Sequence, residues 1–484
     1  MIPSTTTTAA SAPAALAWTE AAPSETDIAI VGGGFSGLIA LVHLLRLLPQ
    51  ARFVLFERLP RRAPGVAYGG CDADHLLNVP AGRMGAFPED PGAFHRWLQE
   101  RHPGRWSADD FVPRALFGEF VNELVAKELA AAGGRASLAR DAVVHVERLP
   151  SGAELLLASG RTCVARALLL APGLPPARAP WSRVDHGVAR RALATDPWDA
   201  GAYEGIGAAD PVIIVGSGLT AIDIVMTLRR RGHRGTITMV SRNGRLPHPH
   251  SPPGDAPLQL PASAFAGGPA RALSALRRAA RERMRAGLSW QGAVDAIRPH
   301  VTEVWRSWTP AQRQRFLRLA RPFWEVHRHR VPVEVLGEMQ ALRAAGSLEL
   351  LQGEVASLRP ADGGVEVALR LRDGRTPTRR AVRLFNCVGP TAAVSESVDP
   401  LIGSLLRGGL ACADASGLGL HADPEGRLRS AAGGSDERIF LVGALRRGEL
   451  FESTAVPELR VQAATAARAL AATLARDAAG KGTR

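Results

Sequence analysis

Asp27-Ile-Ala-Ile-Val-Gly-Gly-Gly-Phe-Ser-Gly37 decides how this chain is read. An apolar, β-branched run enters a glycine turn and leaves it into an apolar helix, and Phe53-Val-Leu-Phe-Glu57 follows as a second strand. The pattern returns as Pro211-Val-Ile-Ile-Val-Gly-Ser-Gly-Leu-Thr-Ala221, a helix, and Thr236-Ile-Thr-Met-Val-Ser-Arg242. In such a turn the first glycine, Gly32 or Gly216, makes the tight bend. The second, Gly34 or Gly218, lets the backbone approach a pyrophosphate, and Gly37 or Ala221 lets the helix pack close to the strand. The free N–H groups at the helix N-terminus face the phosphates, which sets Phe35 and Ser36 beside one ligand and Leu219 and Thr220 beside the other. A lone G-x-G-x-x-G is a weak signal; the strand before it and the helix after it make each of these specific.

The two units end differently. Glu57, followed by Arg58, lies about 20 residues past the last glycine, where a carboxylate accepts from ribose hydroxyls. Ser241 and Arg242 hold the equivalent place in the second unit. A guanidinium cannot accept a hydrogen bond but pairs with a 2′-phosphate. The contrast assigns FAD to the first turn and NADPH to the second. The competing reading of Arg242 is an ordinary exposed arginine in an arginine-rich chain.

Each turn is followed, much later, by the same small pattern. Residues 136–173 read as hairpin strands with Gly turns, then a buried strand, Ala167-Leu-Leu-Leu-Ala-Pro-Gly173; residues 347–390 repeat this and finish Leu384-Phe-Asn-Cys-Val-Gly-Pro390. The expected fold class is α/β: two Rossmann-like dinucleotide-binding domains, the second inserted in the first, each with a small β-meander, plus a helical insert. The expected boundaries are a disordered leader at 1–25, the FAD-binding domain at 26–200 and again at 391–484, and the NADPH-binding domain at 201–390. Arg438-Ile-Phe-Leu-Val-Gly443 is the last strand, and Pro457 suits the first turn of the final helix. That helix either simply packs on the sheet or aims its N-terminus at the flavin ring.

Two stretches stand outside the repeat. Residues 65–120 crowd Gly, Pro and Asn into an apolar loop, as functional loops often do. Residues 245–332 form the helical insert, begin with a Pro/His run and carry Trp290, Trp305, Trp308 and Trp324 for a small core. The insert ends in His327-Arg-His-Arg330. Alternate residues do not share a helix face and arginines repel a cation, so no metal site is expected there or elsewhere. Arg328 and Arg330 are candidates for binding an anionic substrate group, against the plainer reading of a solvated helix end.

Composition narrows the classes. The net charge of +13 invites a nucleic-acid reading. The basic residues are almost all arginine, scattered along the chain, with lysine only at Lys127 and Lys481, so nucleic acid is not expected as a partner. Attraction of anionic small molecules follows from the charge. The four cysteines, Cys71, Cys163, Cys387 and Cys412, form no C-x-x-C, which disfavours a dithiol reductase. Sparse cysteine suits the cytoplasm, the first residues lack a signal peptide's basic and apolar regions, and no apolar run is long enough to span a membrane.

The motifs Gly-Gly-Gly-Phe-Ser-Gly-Leu, Gly65-Val-Ala-Tyr-Gly, Leu77-Asn-Val-Pro-Ala-Gly-Arg-Met84, Val326-His-Arg-His-Arg330 and Arg446-Arg-Gly-Glu-Leu-Phe-Glu-Ser-Thr-Ala-Val-Pro457 together resemble the bacterial FAD/NAD(P)-binding protein family. The resemblance runs over nearly the whole chain after about residue 26. That family is similar to the two-domain flavin-dependent N-hydroxylating monooxygenases acting on lysine, ornithine and aspartate. The resemblance implies FAD and NADPH, with Asn78 and Met84 near the flavin and Gly173, Gly443 and Pro457 completing its surround. Two departures stand out. Val442-Gly-Ala-Leu lacks the Asp that many relatives place after the glycine, and Ala171-Pro-Gly replaces Ala-Thr-Gly.

The leading expectation is an NADPH-using flavin monooxygenase that passes oxygen from a flavin C4a-hydroperoxide to an amine or amino acid, with molecular oxygen as co-substrate. The protein supplies position, dryness and electrostatics, so no catalytic side chain is assigned. The alternatives are a flavin reductase passing electrons to a quinone or partner protein, and a non-catalytic redox sensor.

Overall fold

The computed structural model describes residues 16–72, 75–175, 179–181, 183–251, 254–389 and 393–481. The first sheet runs Trp18–Thr19, Ala136–Ala139, Phe53–Phe56, Glu25–Val31, Thr162–Leu170, Ser435–Leu441, Arg427–Arg429. All neighbours are parallel except the last pair, and the hairpin Val143–Leu149 and Gly152–Leu157 extends from Thr162–Leu170. The second sheet runs Thr378–Ala381, Gly364–Leu371, Leu348–Ala361, Ile237–Ser241, Val212–Val215, Arg383–Asn386, Leu193–Ala194. Its meander is antiparallel and its other pairs parallel.

The apolar runs are continuous because these strands are covered on both faces. Ile28 and Ile30 join one core while Ala29 and Val31 join the other, and Val212 and Ile214 part from Ile213 and Val215 in the same way. The first-turn helix, Phe35–Leu47, packs in a shared core with the C-terminal helix, Val456–Lys481. Ala463, Ala466, Ala467 and Leu470 give that helix a narrow apolar stripe at helical spacing.

The chain departs from expectation at two boundaries. Residues 1–15 of the expected leader lie outside the described residues. Trp18–Thr19, however, is an edge strand paired in parallel with Leu138 and Ala139, so the leader does not extend to 25. The pairing satisfies backbone groups, and the Trp18 ring covers Gly33, where a Cβ would lie 2.9 Å from it. The second sheet already takes in Leu193–Ala194, ahead of the expected start at 201, because these residues pair with Leu384 and Phe385.

The insert is helical, as its pattern predicts, with helices from Pro269–Arg285 to Arg321–Arg328. Trp305, Trp308 and Trp324 are core residues, with Trp290 packed partly buried against them. This core is shared with Phe451 and Leu418 of the returning segment. Trp305 stacks on Phe451 at 4.4 Å and donates from Nε1 to the Gly448 carbonyl at 2.7 Å. The insert is therefore docked on the first domain as well as rooted in the second.

Candidate dinucleotide and flavin site

The first turn is held by contacts that only glycine permits. Gly32 has φ 105°, and a Cβ there would lie 2.2 Å from the Ala171 carbonyl oxygen. A Cβ on Gly37 would lie 2.0 Å from the Gly32 carbonyl oxygen, so helix and turn are in contact. Gly34 differs: its nearest neighbour would be 3.9 Å away. The helix it opens has no side-chain cap and no acid in its first turn. The Phe35–Leu47 N-terminus thus keeps uncapped N–H groups, with the backbone of Gly65 lying beside it, a Cβ there 3.7 Å from the Phe35 nitrogen, and such groups fit a diphosphate. Glu57 Oε2 accepts from Gly33 N–H at 2.7 Å and Oε1 from Leu59 N–H at 2.8 Å. Each oxygen retains a lone pair for a ribose hydroxyl. Arg58 pairs with Asp399 at 3.3 Å on the surface.

The second turn repeats this frame. Gly216 has φ 119°, and a Cβ there would lie 2.4 Å from the Cys387 carbonyl oxygen. Gly218 faces open space, with nothing within 4 Å of a Cβ, and the helix Leu219–Arg230 begins with neither cap nor acid. Ser241 helps close the turn: its Oγ lies 2.8 Å from Ser217 Oγ and accepts from Gly244 N–H at 3.0 Å. Arg242 is exposed, and only its carbonyl is engaged, accepting from Gln352 Nε2 at 3.2 Å. Among the described residues its guanidinium has no partner.

Residues expected around the flavin from three distant segments converge at the C-terminal helix. Arg460 donates to the carbonyls of Arg83 and Gly85 at 3.1 and 2.9 Å, which fixes the stretch holding Met84. Met84 itself is a core residue, 1% exposed. Gln462 accepts from Gly443 N–H at 3.0 Å and donates to the Ser453 carbonyl at 3.2 Å. Gly443 has φ 91°, and a Cβ there would lie 3.2 Å from Ser36 Oγ of the first-turn helix. Pro457 is the second residue of the C-terminal helix, whose first turn also carries Glu458, paired with Arg298 of the insert at 3.0 Å. Gly173, with φ 75°, faces open space.

Asn78 looks the other way. It walls a cavity with Leu76 on one side and Leu219, Asp223, Val331 and Val335 on the other, between the first domain's long loop and the second-turn helix. That helix is pinned to the loop. Arg114 donates to Asp223 at 2.7 Å and to the Leu76 carbonyl at 2.8 Å, and His75 Nε2 lies 2.8 Å from Thr227 Oγ1. Arg230 pairs with Asp72. Sequence reasoning marked this loop as demanding but missed Arg114 and Asp223; the signal was an acid on the buried face of an apolar helix. A second cavity, walled by Leu276, Ile297, Trp305, Phe316 and Trp324 of the insert and by Phe451 of the returning segment, touches neither turn.

Arg328 and Arg330 require a correction. They were expected to be free for an anionic substrate, but both have internal carboxylate partners. Arg330, 4% exposed, pairs with Asp295, and Arg328 lies 3.4 Å from Glu452. Burial alone would raise the Glu452 carboxyl. The charge and hydrogen bond of His329, the charge of Arg328 and the Trp324 N–H outweigh it and hold the carboxyl at about 2. A buried guanidinium must be paired, so Arg328 fastens the insert to the returning segment and Arg330 ties two parts of the insert together. Among the described residues no cluster of His, Cys, Asp and Glu could hold a metal ion, and no helix is long and apolar enough to cross a membrane.

Comparison with known proteins agrees with this geometry. Residues 29–175 match the family described as FAD-NAD(P)-binding. No curated protein matches the sequence. Among solved structures, L-lysine 6-monooxygenase from Pseudomonas syringae aligns with a TM-score of 0.64 at 16% identity, over 93% of this chain and 100% of that one. The Kutzneria sp. 744 ornithine N-hydroxylase, solved with reduced FAD, NADP+ and L-ornithine, aligns at 0.61 and 15% over 94% and 100%. The T. acidophilum thioredoxin reductase aligns at 0.51 and 10% over 93% and 99%. At such identities the likeness is one of fold. Residues 29–175 therefore form an FAD/NAD(P)-binding domain, set in a chain that folds almost throughout like the lysine and ornithine N-hydroxylases.

Proposed function

We propose that this chain is an FAD-dependent, NADPH-using monooxygenase that hydroxylates the nitrogen of an amine or amino acid. One observation carries the reading: two uncapped helix N-termini follow two glycine turns, one backed by the carboxylate of Glu57 and the other by the exposed Arg242, whose guanidinium has no partner among the described residues. FAD would be held by Gly32, Gly34, Phe35, Ser36, Gly37, Glu57 and Arg58, with Gly173, Gly443 and Pro457 towards its ring; Met84, in the core, would support that wall from behind, and Asn78, which faces the second-turn helix, would not touch it. NADPH would be held by Gly216, Gly218, Leu219, Thr220 and Ser241, with Arg242 pairing its 2′-phosphate. Bound there, FAD would supply hydride acceptance and oxygen activation. One oxygen atom goes to the amine nitrogen and the other leaves as water, with NADPH supplying two electrons.

The chain's own part is positional. Arg114, Asp223 and His75 hold the second-turn helix against the loop that carries Asn78. The likeness to thioredoxin reductases favours a second reading, a flavin reductase serving a quinone or a partner protein. Against its dithiol form, all four cysteines are free thiols. The test is NADPH oxidation by FAD-loaded protein across a panel of amines and amino acids, with the hydroxylamine product measured. Substrate-stimulated oxidation coupled to product is expected. Oxidation that instead follows an added quinone or dye, with no hydroxylamine, supports the reductase.

A further inference from the structure

The insert holds most of the molecule's charge. Residues 245–332 carry fifteen arginines against five acidic residues, a net +10 of the chain's +13. Helix Pro269–Arg285 shows how that charge is arranged. Its inner face is Ala272, Ala275, Leu276 and Ala279, all buried, together with Arg283, which donates to Asp255 at 2.9 Å. Its outer face is Arg271, Arg277, Arg278, Arg281 and Arg285, all exposed. On a helix of 3.6 residues per turn these five fall within about 120° of arc. None of them has a carboxylate partner among the described residues.

Arginines that hold the insert together are matched: Arg298 to Glu458, Arg321 to Glu325, Arg328 to Glu452 and Arg330 to Asp295. The outer stripe of Pro269–Arg285 is not. Arg277, Arg281 and Arg285 follow at i, i+4 spacing, where like charges destabilise a helix. Two apolar side chains share the stripe's C-terminal end, Met284 at 61% exposed and Leu288 at 37%. The helix's own apolar face is committed to the insert core, so it cannot lie in a partner's groove or sink into a bilayer. What it offers is a straight line of cations, about 21 Å from Arg271 to Arg285, with two apolar tips. Its complement is a flat anionic surface with an apolar layer beneath. A nucleic-acid phosphate backbone gives Met284 and Leu288 nothing to enter, and the stripe carries no aromatic ring on which a base could stack.

We propose that the outer face of Pro269–Arg285 docks the protein on an anionic phospholipid surface, with Met284 and Leu288 at the headgroup level. The docking is electrostatic and reversible, and it does not depend on the monooxygenase reading. Only +3 remains for the chain outside the insert, so the field of the whole molecule turns the insert towards such a surface.

The test is co-sedimentation of the FAD-loaded full chain with vesicles of phosphatidylcholine alone and of an equal mixture of phosphatidylcholine and phosphatidylglycerol. Wild type should bind the mixed vesicles, ignore the neutral ones, and come off as salt rises from about 0.1 to about 0.5 M. Changing Arg271, Arg277, Arg278, Arg281 and Arg285 together to Gln should weaken binding about 100-fold or more, each basic side chain at such a surface being worth about a factor of five. Changing Arg359, Arg370, Arg375, Arg379 and Arg380, exposed on the second sheet's meander, to Gln removes the same charge and should cost less than about threefold. Met284→Ser with Leu288→Ser should weaken binding about threefold. Equal loss from the two five-residue variants, or equal binding to both kinds of vesicle, overturns the proposal. So does binding of duplex DNA or polyglutamate through the same arginines with none to the mixed vesicles. Should the first variant fail to fold, Arg277→Gln with Arg281→Gln and Arg285→Gln decides, with a loss of at least tenfold expected.

Discussion

A methyl group on Gly32 would lie 2.2 Å from a carbonyl oxygen of its return strand, and one on Gly216 would lie 2.4 Å from the matching oxygen. The frames coincide because a strand, a turn and a helix that share a sheet edge have one way to pack. They differ in what stands around them. The first turn is roofed by Trp18, closed by Gly37 in contact with Gly32, and has its acid engaged with Gly33 and Leu59. The second tolerates Ala221, has Ser217, bonded to Ser241 and the Arg245 carbonyl, where the first has the roofed Gly33, and leaves Arg242 in solvent. A tightly built turn suits a cofactor that stays, and an open one suits a cofactor that comes and goes each cycle.

Gly32→Ala should break that comparison hardest. Positive φ and a backbone clash together cost about 3 kcal/mol or more, so the variant should purify without flavin absorbance and with a lowered melting temperature. Gly218→Ala, with open space around it, should fold normally and retain FAD while its KM for NADPH rises. Equal damage from both would mean that Gly218 is as tightly enclosed as Gly32.

Next in size is the contact that keeps the two regions together. A carboxyl held below its ordinary 4.5 contributes stability above that pH and loses it as pH falls towards about 2. The docking of the insert through Glu452 should therefore persist to about pH 4.5 and weaken only below it. Tryptophan fluorescence from the Trp305 and Trp324 region reports this, and Glu452→Gln should remove that acid limb.

Arg242→Ala should raise the KM for NADPH about 10- to 100-fold, the worth of lost charge-assisted hydrogen bonds, and leave NADH unchanged. A parallel change for both nucleotides would return Arg242 to the ordinary surface. The smallest effect is expected at Glu57. Glu57→Gln keeps one acceptor oxygen, so FAD should bind about five- to tenfold more weakly, as measured by flavin titration of the apoprotein.

Much of this was legible in the chain. The turns, their following strands and the repeated meanders are local patterns of period and punctuation, and each lies where its residues predict. Trp18 was lost among alanines and threonines, because an edge strand two residues long has no period of its own. Arg328 and Arg330 were misjudged because their partners lie elsewhere in the sequence: Glu452 in the returning segment and Asp295 on another helix of the insert.

What the sequence by itself determined is therefore the pair of dinucleotide units and their order, since strand, glycine turn and helix are set by neighbours in the chain. Only the tertiary structure decided which charges are already paired, which stay unmatched on the outer face of Pro269–Arg285, and how Arg114 and Asp223 hold one unit to the other. Those depend on burial and on partners brought together from distant segments, and burial and long-range pairing have no local signature.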